Sequence, residues 1–156
     1  MQNQINVEPW WAALFVWTIV NSVNVLQAVG FLSRIRTGNM AVNHFLGYIL
    51  IALALPAALA LVAFKNAHAG WLHWFGPAVY IVFIVFMVIV EYIRPVEFRS
   101  PERIEILVPY LVLFFGSILL MGLPMYRMNR GLWLVTVATT VLLLGSMIAA
   151  MRKGVG

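Results

Sequence analysis

Apolar residues in this chain run in five long blocks, at about 10–32, 40–64, 74–93, 104–126 and 132–151, and only short polar breaks separate them. A helix crosses the hydrocarbon of a bilayer in roughly 20 residues, so each block predicts one transmembrane helix. Connections this short make successive helices antiparallel neighbours. The expected architecture is an all-α integral membrane bundle of five transmembrane helices, forming a single domain over 1–156.

The breaks carry their own signals. Ser33-Arg34-Ile35-Arg36-Thr37-Gly38-Asn39 closes the first hairpin, where glycine can take a positive φ and end the helix. Lys65 to His73 closes the second, and Tyr126 to Gly131 the fourth. Arg94 to Arg103 holds Pro95, Pro101 and alternating Arg and Glu. Within it, Ser100-Pro101-Glu102 combines a hydroxyl cap, a first-position proline and a first-turn acid, so the fourth helix should begin near Pro101. Pro56 lies midway along the second block and should kink that helix, because proline removes a backbone donor and frees a carbonyl. Pro109 is placed to do the same early in the fourth.

The first block departs from uniform apolarity. Asn21, Asn24 and Gln27 follow one another at three-residue intervals. At about 100° per residue they stay within one sector roughly 120° wide. Amides turned to hydrocarbon would leave donors and acceptors unpaired, so this sector should face protein or water.

Composition narrows the class. A hydrophobic fraction of 63%, a mean hydropathy of +0.96 and a charged fraction of 10% belong to polytopic membrane proteins. The net charge of +5 is dispersed over block ends, which suits lipid headgroups and topology and excludes a phosphate-tracking stripe, so no nucleic-acid partner is expected. With no cysteine, thiolate nucleophiles and cysteine-held clusters are excluded. Met1 to Glu8 carries no Lys or Arg, unlike the basic start of a signal peptide, so the first helix is read as retained. Alternate connections carry unequal charge. Arg34, Arg36, Arg94, Arg99, Arg103, Arg152 and Lys153 fall on one side, and Lys65, Arg127 and Arg130 on the other. That bias predicts an outside N-terminus and a cytoplasmic C-terminus. Trp10, Trp11, Trp71, Trp74 and Trp133 all fall at helix ends on the expected outer side, as half of an aromatic belt.

Placed by depth at about 1.5 Å per residue, polar side chains are unevenly shared between the two halves of the bilayer. Asn21 lies near the middle. Thr139 and Thr140 are close to that depth, and Asn24, Gln27, Asn43, His44, Tyr48, Glu91, Tyr92, Tyr110 and Ser146 fall in the expected cytoplasmic half, to which every helix contributes. The outer half offers little beyond its tryptophans. The functional reading is a cavity on the cytoplasmic side lined by Asn21, Asn24, Gln27, Asn43, His44, Tyr48, Glu91 and Tyr110. Ionisable groups at membrane depth point to function, and histidine suits a switch or proton carrier. Structural alternatives stand beside this reading. The amides can bond across to neighbouring helices, His44 can be an interfacial residue, and Glu91 can pair with Arg94 three residues on.

Small residues mark helix contacts: Asn43, Gly47, Ala54, Ala57 and Ala58 on the second helix, Gly116 and Ser117 on the fourth, Gly145, Ser146, Ala149 and Ala150 on the fifth. They also offer surfaces for a homo-oligomer or a larger membrane complex. No His-Glu-x-x-His, Gly-x-Ser-x-Gly or intrahelical carboxylate pair is present. His68 and His73 lack a third ligand, and His44 stands alone at its depth, so no metal, haem or other cofactor is expected.

Size, five spans and six tryptophans are similar to the tryptophan-rich sensory (translocator) proteins, but Ser33–Asn39 stands where that family carries a proline- and tryptophan-rich loop. Arg34-x-Arg36-x-x-Asn39 with Asn43 is similar, over about ten residues, to the second helix of the membrane-associated eicosanoid and glutathione enzymes. Their partner glutamate is missing here and they have four spans, so neither resemblance carries function across. The expectation is a small membrane protein, in contact with lipid, that binds or transports a small polar or amphipathic solute. The alternatives are an accessory subunit of a larger complex and a lipid-modifying enzyme with His44 as base.

Overall fold

The computed structural model describes residues 9–96, 98 and 103–155. Among them the chain is 87% helical with no strands. Its helices are α1 (Trp10–Thr37), α2 (Ala41–Ala52), α3 (Ala54–Asn66), α4 (Trp71–Val88), α5 (Ile104–Met128) and α6 (Arg130–Arg152), with a π-helical turn, Ile89–Ile93, extending α4. With α2 and α3 in line and the π turn included, five helices are long and apolar enough to cross a membrane. This is the architecture of a multi-pass membrane protein.

Local chemistry explains the boundaries. α1 runs five residues beyond the expected Leu32 and stops at Gly38, whose φ of 65° lets its N–H reach the Arg34 carbonyl. The Asn39 side chain then accepts from Ala41 N at 2.8 Å, starting α2. The turn between α5 and α6 is one residue long. Asn129 accepts from Leu132 N at 3.1 Å and so caps α6. The expected start at Ser100-Pro101-Glu102 lies outside the described residues, and α5 is helical from Ile104. It continues through Pro109 and Pro124.

The second span bends by 26°. The break falls at Leu53, three residues before Pro56, because proline offers no N–H to the carbonyl four residues back. Beyond the bend, α3 packs closely on α1 and α4, while α2 touches them sparsely. Tyr80, fully buried on α4, donates to the Leu50 carbonyl at 2.8 Å and ties the bent segment to the bundle.

α1 packs against α6 and α3 and also touches α5 and α2, and α4 packs against α5 and α3. Val16, Ile19 and Val20 of α1 meet Tyr80 and Phe83 of α4 and Phe114, Ile118 and Met121 of α5 in one core. At Gly76 the α4 and α5 backbones nearly touch: a Cβ there would lie 2.8 Å from Met121 N. Outward positions are large and apolar, with Leu55 69% and Phe45 65% exposed. Such a surface is matched to lipid.

Candidate functional site

The three amides of α1 part company. Asn21 and Asn24 face α6, where Thr136, Thr139 and Thr140 answer them. Asn24 Nδ2 donates to Thr139 Oγ1 at 3.1 Å and to Thr140 Oγ1 at 3.0 Å. Thr139 Oγ1 donates to Asn21 Oδ1 at 2.8 Å, and Asn21 Nδ2 donates to Thr136 Oγ1 at 3.2 Å. Thr136 Oγ1 and the Trp17 indole N–H both donate to the Leu132 carbonyl, at 3.3 and 2.9 Å. These bonds form a directed polar zipper along the α1–α6 seam. It lies beside the cavity described next, and neither Asn21 nor Asn24 lines that cavity.

Gln27 continues the same sector of α1 but faces open space. A cavity of about 450 Å³ lies at the end of the bundle where α1 and α6 finish and α2 and α5 begin. Phe31 and Arg34 follow Gln27 down α1, Met40, Asn43 and His44 face it from α2, and Met87 and Glu91 from the end of α4. α5 and α6 close the other side with Leu107, Tyr110, Leu111, Phe115, Met147 and Met151. Five of the eight expected residues therefore meet here: Gln27, Asn43, His44, Glu91 and Tyr110. Tyr48 does not. It is 60% exposed, with its ring 5.2 Å from that of Tyr92.

The inner end of the cavity is closed by Leu50, Met87 and Phe114, which join the packed core. The cavity is thus a blind chamber and not a pore. It exists because α2 diverges below Leu53 while α3 does not. Two glycines set its α2 wall. Asn43 sits in the notch of Gly30, where a Cβ would come within 2.9 Å of Asn43 Nδ2. Across the seam, the Tyr92 hydroxyl fills the notch of Gly47 and donates to the His44 carbonyl at 3.0 Å.

Polar groups on the wall are unequally satisfied. Asn43 Oδ1 is buried with no hydrogen-bond partner. Among the described residues, no protein group bonds the Gln27 amide or the His44 ring nitrogens. Burial of the Asn43 carbonyl oxygen without a partner costs free energy, whereas Gln27 is half-buried and His44 exposed.

Arg34, which the sequence assigns only to topology, is 5% exposed and lines the chamber. Its guanidinium lies 4.6 Å from the Phe31 ring centroid, and Nη1 donates to the Val155 carbonyl at 3.4 Å. The C-terminal end is folded for this contact. Gly154 takes a φ of 68°, Val155 N bonds to Ala150 O and Gly154 N to Met151 O, a Schellman turn that brings Gly154 onto the chamber's lining. The sequence carried no signal for this role, because the apolar block ends at Leu32 while α1 continues to Thr37. Its 28 residues span about 42 Å at 1.5 Å each, well beyond a hydrocarbon core of about 30 Å, so its last turns reach past the hydrocarbon, and of them Arg34 alone is buried. The π turn, marked by Arg94 N bonding to Ile89 O at 2.8 Å, had no sequence signal.

Among the described residues no three His, Cys, Asp or Glu side chains gather as a metal site would require. The chain matches no family, no curated protein and no solved structure with which it was compared.

Proposed function

We propose that this membrane protein binds a small polar or amphipathic solute in the chamber at the Arg34 end of the bundle. The observation that supports it is the set of unpartnered polar groups on Gln27, Asn43 and His44 around a shared space of about 450 Å³. Ligand sites of this kind are concave, mostly apolar and carry a few convergent polar groups, with volumes of about 300–1,000 Å³. By the Lys and Arg bias, the chamber opens toward the cytoplasm. A bundle of this size has little room for two alternating halves, so any movement of solute across the membrane would require an oligomer.

Native mass spectrometry of the protein purified in mild detergent tests the reading. A bound small molecule is expected on the wild type and is lost from Asn43→Leu. Retention by that variant, or an empty wild-type protein in every lipid supplied, overturns it.

An accessory subunit of a larger complex is the second reading. It is favoured by the full engagement of Asn21 with α6 and by the open space beside Gly116 and Gly145, where an added Cβ would meet nothing within 4 Å. It predicts a protein that loses its fold when purified without partners.

A further inference from the structure

The chamber has two chemically different walls. α1, α2 and the end of α4 supply every amide, imidazole and charge on its lining: Gln27, Arg34, Asn43, His44 and Glu91. α5 and α6 supply apolar side chains apart from Tyr110. Two of these apolar residues also reach the outer surface, Leu111 at 37% and Met151 at 63% exposure. The apolar wall is therefore continuous with the lipid-facing surface of the bundle, and the polar wall lies opposite it. Methionines at 147 and 151 add unbranched, adaptable side chains to that edge.

We infer that the occupant is a single-chain amphiphile with an uncharged head that both donates and accepts hydrogen bonds, entering from the bilayer along the α5–α6 side. This deepens the binding reading above and rests on it. The head follows from the polar wall. The formal charges of Arg34 and Glu91 cancel, so a net ion would lose hydration without a matching net charge. The unpartnered groups on Asn43 and Gln27 are uncharged amides. Asn43 Oδ1 needs a donor, and the Gln27 amide offers both an N–H and a C=O. The tail follows from the other wall. Only an apolar chain gains by lying between Leu111, Phe115, Met147 and Met151, and a headgroup passing that edge would meet nothing polar but Tyr110.

The experiment uses three probes that share a C12 chain and differ in head: dodecylglycerol, dodecanoate and dodecyltrimethylammonium. Each carries a photoreactive group in the chain and is titrated onto the protein in nanodiscs. Labelling of the Gln27→Met/Asn43→Leu variant subtracts simple partitioning, and both substitutions nearly conserve volume. The expected result is saturable labelling by dodecylglycerol at least about tenfold tighter than by either ion, a difference of about 1.4 kcal/mol. The label should map to α5 and α6 and fall to background in the double variant. Tighter binding of either ion overturns the uncharged head and leaves the chamber standing. Label confined to α1 or α2 overturns the entry side. No saturable site for any probe sinks this inference, while a small molecule still retained by the wild type and lost from Asn43→Leu in native mass spectra would leave the binding reading standing.

Discussion

The Tyr92 hydroxyl donates to the His44 carbonyl at 3.0 Å and occupies the space that a side chain at Gly47 would need. One polar atom thus closes the sparse seam between α2 and the end of α4, and it can do so only because residue 47 lacks a Cβ. Gly47→Ala should displace the tyrosine and destabilise the fold by about 1–3 kcal/mol, the usual cost of overpacking. Tyr92→Phe alone should cost about 0.5–1.5 kcal/mol. Combined, the two should cost less than Gly47→Ala by itself, since removing the hydroxyl also removes the atom that the added Cβ would strike. Unfolding in mixed micelles measures all three, and simple additivity would show that the notch and the hydroxyl are independent.

Asn24 and Asn43 are both amides with a buried, unpartnered Oδ1, yet their replacement should act on different properties. Asn24→Leu removes two interhelical bonds to Thr139 and Thr140, and a loss of about 1–2 kcal/mol is expected with solute retention unchanged. Asn43→Leu removes no protein hydrogen bond, so stability should hold or rise while retention falls. Stability curves and native mass spectra on the same two variants separate the roles.

Pro56 shapes the chamber from outside it. α2 is 12 residues, about 18 Å long, so a 26° bend displaces its far end by about 8 Å. Pro56→Ala restores the missing N–H and should straighten the span, changing the separation of α2 from α6 by up to that distance. The chain has no cysteine, so spin labels at Val42 and Ile148 can be introduced cleanly to read the change. An unaltered distance would mean that packing, and not proline, holds the bend.

Glycines on α4 and α6 should differ sharply in tolerance. A Cβ at Gly76 runs into the backbone of Leu120 and Met121, which cannot yield as a side chain can. Gly76→Ala is expected to cost about 1–3 kcal/mol by prising α4 from α5. Gly145 has nothing within 4 Å of an added Cβ, so Gly145→Ala should be neutral in the isolated protein. A loss of oligomeric state in Gly145→Leu, with stability retained, would assign that face to a partner.

The five spans were legible because hydrocarbon imposes length and apolarity on each helix separately, and neither depends on a neighbour. The Pro56 bend was legible for the same reason, since a missing N–H is a property of one residue. The fate of the α1 amides was not. Their three-residue spacing places them on a common sector, but whether that sector meets threonines or open space depends on α6, whose Thr136, Thr139 and Thr140 end level with Asn21 and Asn24 and not with Gln27.

By itself, then, the chain determined how many times it can cross a bilayer and where one crossing bends. Tertiary structure decided which of the polar side chains are spent on one another and which are left facing a void. The division is physical: hydrophobic length and backbone donors are local quantities, whereas hydrogen-bond satisfaction belongs to pairs. Arg34 shows the difference most plainly, a charge that sequence assigns to the membrane surface and that packing has turned into the wall of a chamber.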